Sequence, residues 1–179
     1  MPTLILFILL FLPTLVVCMQ AAPSEYHPQR PIREYFLGAW KLVSTENTYP
    51  DGHTTAYPDL GPNALGFLIY APSGHMCAQL MKRERPRWAV DDSPTPEEAI
   101  AALDGFTSYC GTFELSESDH TMVHRPETAS SPNWLQTTQL RPYHLVSENR
   151  FFFQGVERQK QKDGEEISVK WTITWERLK

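Results

Sequence analysis

From residue 37 onward the chain alternates between apolar and polar positions. In WKLVSTENT (40–48), Trp40, Leu42, Ser44 and Glu46 share one face, opposite Lys41, Val43 and Thr45. In EISVKWTITWERL (166–178), Ile167, Val169, Trp171, Ile173, Trp175 and Arg177 alternate with Ser168, Lys170, Thr172, Thr174 and Glu176. A period of two puts one face against a core and the other in water. Between these ends, ALGFLIYAPSGHMCAQLMK (64–82) splits into two strands around the turn APSG. CGTFEL (110–115) and HTMVHR (120–125) flank SESD, LQTTQLRPYHL (135–145) and RFFFQG (150–155) flank VSEN, and KDGE precedes the last strand. The sum, about eight strands with short antiparallel connections, predicts an all-β fold, either a sandwich or an antiparallel up-and-down barrel. Closure into a barrel removes exposed strand edges.

One helix interrupts the strands, within DDSPTPEEAIAALDGFTSY (91–109). Ser93 or Thr95 suits its cap, Pro96 its first turn, and Glu97 and Glu98 complement its dipole. Ile100, Leu103 and Phe106 form an apolar stripe, and the helix is expected to cap one end of the barrel.

A closed barrel makes the first and last strands neighbours, so Trp40 and Arg177 are expected to stack at one end in a structural role, since a buried charge needs a partner or an aromatic face. On a regular first strand Glu46 points inward.

The length, 179 residues, sets one domain as the default. Fifteen prolines argue against long helices. A net charge of −5 gives no electrostatic case for nucleic acid, and KRERPR (82–87) is expected to be a solvated loop. The uncharged apolar segment TLILFILLFLPTLVVCMQ, followed by small residues, reads as a secretory signal peptide over residues 1–21, cleaved near Ala21 or Ala22. The alternative is an uncleaved anchor in an endomembrane, but Pro13 and a run shorter than the roughly 20 residues of a span favour cleavage and no stable membrane span afterwards. Residues 22–36 form a Pro-rich leader whose end tucks against the barrel domain of 37–179. Cys18 leaves with the signal segment. Cys77 and Cys110 either pair, as a secreted chain allows, or sit as small buried hydrophobes. The sequence holds no Asn-x-Ser/Thr sequon.

LGAWKLVS, GFLIYAPSGHMCAQLM, PEEAIAALDGF running into YCGTFEL, VHRPETASSPNW, Arg141 within QTTQLRPY, and WTITWERL follow one another over most of 37–178. This ordered set resembles the lipocalin or calycin arrangement, and more closely the lipocalin-like domain family of bacterial and fungal proteins. The resemblance implies a barrel that binds a small apolar molecule inside it. It also implies an association with fungal polyketide and terpenoid biosynthesis, where such proteins are thought to guide cyclisations or isomerisations. Two functions follow as expectations: a cofactor-free cyclase or isomerase acting on such an intermediate, or a non-catalytic secreted carrier of a small apolar ligand. A surface-interaction scaffold is a third.

For catalysis, His124, Asn133 and Arg141 are the expected polar groups. His124 is an acid, base or hydrogen-bond donor, and Asn133 orients a carbonyl or hydroxyl. Arg141 holds a carboxylate or enolate oxygen, or else pairs with Glu46 or Glu114. The 126–133 segment is expected to be a loop that folds over the barrel mouth and brings His124, Asn133 and Trp134 together. Glu46, Tyr70, Gln79, Trp134, Gln139, Tyr143 and Trp171 are expected to line the ligand space. No metal is expected, because His75, Cys77, Gln79 and Met81 share a strand face but their spacing supplies no third ligand. No cofactor is expected: the chain carries no nucleophile elbow, phosphate loop or His-Glu-x-x-His pattern.

Overall fold

The computed structural model of the chain describes residues 26–161 and 164–179. The expected signal segment, its cleavage site, the first residues of the leader and two residues of the KDGE turn lie outside the described residues.

The strands are β1 (Gly38–Thr48), β2 (Thr54–Ala56), β3 (Leu65–Tyr70), β4 (His75–Met81), β5 (Phe106–Ser116), β6 (Thr121–Ala129), β7 (Gln139–Ser147), β8 (Arg150–Lys160) and β9 (Glu166–Arg177). Every pairing is antiparallel, in the order β2-β1-β3-β4-β5-β6-β7-β8-β9, and β1 also pairs with β9. The closing pairing makes an eight-stranded barrel, with β2 a short ninth strand added to the end of β1. The pairing decides for the barrel over the sandwich.

The floor is built first. A short helix, α1 (Ile32–Phe36), enters the barrel, and both Tyr35 and Phe36 are 0% exposed. The Trp40 indole N–H donates to the Phe36 carbonyl at 2.8 Å. Arg177 donates to the Leu37 carbonyl at 2.8 Å and to the Tyr35 carbonyl. Phe36, Tyr143, Phe151 and Trp40 interlock edge to face, with centroids 4.7–5.0 Å apart. The end of the leader is therefore the plug of the barrel.

Gly38 precedes this knot with φ of +112°, a conformation costly for a side-chain-bearing residue. An added Cβ there would lie 3.3 Å from the Arg177 guanidinium.

The expected helix is α2 (Pro96–Leu103), with Thr95 as its cap in a capping box with Glu98. Its apolar stripe does not pack on the barrel: Ile100 is 61% and Leu103 58% exposed, and Phe106 already belongs to β5. α1 closes the floor, whereas α2 lies beside the opposite, open end.

Two irregularities decide which side chains face inward. Along the β1–β9 ladder Leu42 pairs with Trp175 and Ser44 with Thr174, leaving Val43 as an extra residue in a bulge. Trp40 and Leu42 are buried before the bulge, and Thr45 and Asn47 after it. Glu46 consequently faces outward, a correction to the inward orientation expected of a regular strand. In β6, Gly111 pairs with Pro126 and Cys110 with Thr128, so Glu127 is the extra residue. The strand runs through this bulge to Ala129, into the segment expected to be loop.

On β4 the inward residues are Met76, Ala78 and Leu80. Gln79 lies on the opposite face and is exposed, which corrects its expected place in the ligand space. Cys77 and Cys110 are register partners on β4 and β5 and are joined by a disulfide, with Cα atoms 4.1 Å apart.

Candidate functional site

Above the plugged floor the barrel encloses a cavity of about 310 Å³, open toward the end bearing α2. Leu68, Ala78, Leu80, Phe153, Ile173 and Trp175 form its apolar lower wall. Tyr57, Trp134 and Trp171 enrich the upper part in aromatic surface. Apolar walls with a few placed polar groups are the usual make-up of a small-molecule site, and this volume lies near the low end of the range of about 300–1,000 Å³ for such sites.

His124 is the most buried polar group of the lining, 1% exposed. Its Nε2 lies 2.6 Å from the Tyr70 hydroxyl and its Nδ1 2.8 Å from the Tyr109 hydroxyl. A neutral imidazole offers one donor and one acceptor, so the two phenols satisfy both nitrogens. Burial, reinforced by the charge of Arg141, holds the imidazole well below its ordinary pKa, hence uncharged. Burial raises the Tyr70 and Tyr109 hydroxyls well into their protonated range. The cluster is a neutral hydrogen-bonded unit spanning β3, β6 and β5, and the Tyr109 hydroxyl also meets Arg141.

Arg141 enters from β7. Its guanidinium donates to the Leu140 carbonyl at 3.2 Å and to the Gln139 side-chain carbonyl at 3.4 Å, and it lies 5.8 Å from the Trp171 ring centroid. Neither acid expected to pair with it does so. Glu46 is outside the barrel, and Glu114 pairs with Arg125 at 2.9 Å.

The ten side chains expected at the site separate cleanly. His124, Trp134, Gln139, Arg141 and Trp171 line the cavity. Tyr70 is buried behind His124. Tyr143 belongs to the floor, edge-on to Phe36 at 4.9 Å. Asn133 is exposed on the 3₁₀ turn Pro132–Trp134 and does not line the cavity, although its neighbour Trp134 packs edge-on to Tyr109 at 5.2 Å. Glu46 and Gln79 are on the outer face. The expected convergence of His124, Asn133 and Trp134 is therefore incomplete: Asn133 is missing from it.

Sequence reasoning missed Tyr109, Thr45 and Tyr57. Tyr109 was legible in principle, since it shares the period-two face of Gly111 and Phe113 once β5 is extended backward. Thr45 depended on the bulge at Val43. Tyr57 follows β2 in an irregular segment whose pattern carries no signal. Among the described residues no group of three or more His, Cys, Asp or Glu is placed to hold a metal, and no helix is long and apolar enough to cross a membrane.

Residues 37–178 match the profile of the family described as the lipocalin-like domain. A protein of Aspergillus oryzae named 4'-hydroxy-3'-methoxypropiophenone carrier protein is 32% identical over 78 residues, a stretch covering 39% of this chain and 70% of that protein. A solved complex of bovine odorant binding protein with a selenium-containing odorant aligns with 88% of this chain and 78% of its own, at 13% identity and a TM-score of 0.39.

Proposed function

The chain belongs to the lipocalin-like domain family, and on that premise we propose that it is a non-catalytic carrier of a small, mainly apolar, oxygen-bearing molecule. The observation that carries this reading is the closed barrel with a plugged floor, one open end and an aromatic-lined cavity of about 310 Å³. That space suits a molecule of one or two rings. The relative named as a carrier of 4'-hydroxy-3'-methoxypropiophenone supports the same reading.

The carrier reading is preferred to the cyclase or isomerase for a chemical reason. A general acid or base must exchange a proton with its substrate within hydrogen-bond reach. Both nitrogens of His124 are already committed to phenols, and Asn133 does not reach the cavity. The Tyr70–His124–Tyr109 unit serves a carrier well, as a rigid neutral wall.

We also propose passage through the secretory pathway. The signal-like segment 1–21 motivates it, and the Cys77–Cys110 disulfide accords with folding in an oxidising compartment.

The test is a titration of the purified protein with 4'-hydroxy-3'-methoxypropiophenone and a panel of neutral naphthyl and phenyl compounds, read by quenching of tryptophan fluorescence, followed by recovery and analysis of the ligand. Saturable one-to-one binding with the ligand recovered unchanged supports a carrier. Conversion of a bound compound restores the enzyme reading, and absence of saturable binding across the panel overturns the carrier.

A further inference from the structure

We propose, resting on the carrier reading, that the ligand is an aromatic oxyanion, its flat ring held in the aromatic upper part of the cavity and its anionic oxygen received by the guanidinium of Arg141.

Among the described residues, the arginines that make side-chain ion pairs do so on the protein's outside, as Arg30 with Glu148, Arg125 with Glu114 and Arg150 with Glu176. Arg177, on the floor, is spent on two backbone carbonyls. Arg141 differs. It is half-buried, lines the cavity, and among the described residues has no ion-pair partner, only neutral acceptors: two of its own strand at 3.2 and 3.4 Å, and the Tyr109 hydroxyl. A cation removed from bulk water without a counter-charge is costly, and a ligand that supplies the charge offsets that cost on binding.

The surroundings favour an anion at that point. The imidazole and phenols below Arg141 are neutral, and the one formal charge that acts on Tyr70, Tyr109 and His124 is that of Arg141. Two carboxylates also line the cavity, Asp59 and Glu157. Asp59 is exposed, and Glu157 accepts a hydrogen bond from the Gln159 amide at 2.5 Å. Tyr57, nearer the mouth, feels their charge together with that of Arg141, whereas the buried triad feels that of Arg141 and not theirs. At the depth of Tyr70, Tyr109 and His124 the side-chain charge that acts is therefore that of Arg141.

The flat-ring part of the inference rests on the walls. Trp171 lies under the guanidinium, and Trp134 stands edge-on to Tyr109, so a ring entering beside Arg141 meets aromatic faces. Arg141 has five N–H donors, more than its contacts to Leu140, Gln139 and Tyr109 use, in the planar fork that matches a carboxylate or a phenolate oxygen.

The experiment compares ligands differing only in charge: naphthoate with naphthylmethanol for the carboxylate source, and nitrophenolate with nitroanisole for the phenolate source, at neutral pH and low salt. The anion of at least one pair is expected to bind about tenfold more tightly than its neutral partner, as a charge-assisted contact to Arg predicts. Arg141→Gln is expected to abolish that preference, anion and neutral partner then binding equally, and Arg141→Lys to retain part of it. The near-ultraviolet circular dichroism of each variant confirms that the barrel is intact. Neutral compounds binding as tightly as both anions, or an anion preference that survives Arg141→Gln, overturns the inference and leaves the carrier reading standing. No binding by any of the four compounds overturns the inference, and the carrier reading then stands or falls on the titration with 4'-hydroxy-3'-methoxypropiophenone and the neutral panel.

Discussion

Trp40 and Arg177 face each other across the ladder that closes the barrel, the guanidinium carbon 4.1 Å from the indole ring centroid. Neither contact partner is available until β1 and β9 have met, because the residues lie at opposite ends of the domain. Arg177 then ties in the plug, through the carbonyls of Tyr35 and Leu37. The pair joins the first strand, the last strand and α1 in one knot, and its role is to hold the container shut.

Replacement of Arg177 by Ala is accordingly expected to lower stability by about 2–3 kcal/mol, because it strands two carbonyls bonded to a charged donor. Trp40→Ala is expected to cost more, about 3–5 kcal/mol, through the cavity it leaves. Urea denaturation measures both. A loss below about 0.5 kcal/mol for Arg177→Ala, the level of an ordinary surface change, would contradict the role assigned to the knot.

The neutral His124 makes stability depend on pH with a definite sign. Folded, it takes up a proton only well below 6.5, whereas the unfolded chain does so near 6.5. Above that pH both states are neutral and the contribution of the buried imidazole is fully present. As pH falls through 6.5 the unfolded chain binds the additional proton, and stability falls by up to about 1.4 kcal/mol per pH unit from this group. Denaturation midpoints measured from pH 7.5 down to 5 should show the decline, and His124→Gln should flatten it. A midpoint that rises toward pH 5 contradicts the assignment.

The disulfide closes a loop across a sequence separation of 33 residues on the outer face of β4 and β5. On the loop-closure account its removal destabilises by about 3–4 kcal/mol. Because neither sulfur faces the cavity, the Cys77→Ser/Cys110→Ser double variant should bind ligand with unchanged affinity at temperatures where it remains folded. Calorimetric melting and a fluorescence titration separate the two effects.

Gly155 seats the Trp171 ring. A Cβ added to Gly155 would lie 2.4 Å from Cζ2 of Trp171, so Gly155→Ala must displace the indole from beneath Arg141. The expected outcome is a loss of about 1–3 kcal/mol in stability from overpacking. Ligand affinity should also fall about tenfold, the worth of a stacked and cation–π contact. Unchanged affinity would show that Trp171 does not contact the ligand.

The bulge at Val43 is tested by neighbouring positions of opposite orientation. Thr45→Trp fills the cavity and is expected to abolish binding, while Glu46→Ala, on the outer face, is expected to leave affinity unchanged and stability within about 0.5 kcal/mol. The reverse pattern would place Glu46 inside.

Periodicity alone determined a good deal of this protein. The alternation of β9 put Trp171, Ile173, Trp175 and Arg177 on one face, and the count of strands with short turns left a barrel or a sandwich; given closure, the Trp40–Arg177 contact followed. Gln139 and Arg141 were legible for the same reason, since β7 is regular where they sit. What defeated the sequence was parity and long-range packing. One extra residue at Val43 reverses every later side chain of β1, and nothing local marks it, because its stability comes from pairing with a strand more than a hundred residues away. Gln79 was misplaced for a related reason: β4 offers two plausible faces, and only its register against β3 and β5 selects Met76, Ala78 and Leu80 for the core. α2 shows the converse, a well-capped helix whose local signals are all satisfied but whose apolar stripe meets no partner in this fold. The meeting of Tyr70, Tyr109 and His124 was likewise beyond the sequence, since three strands must close a barrel before two phenols can reach one imidazole.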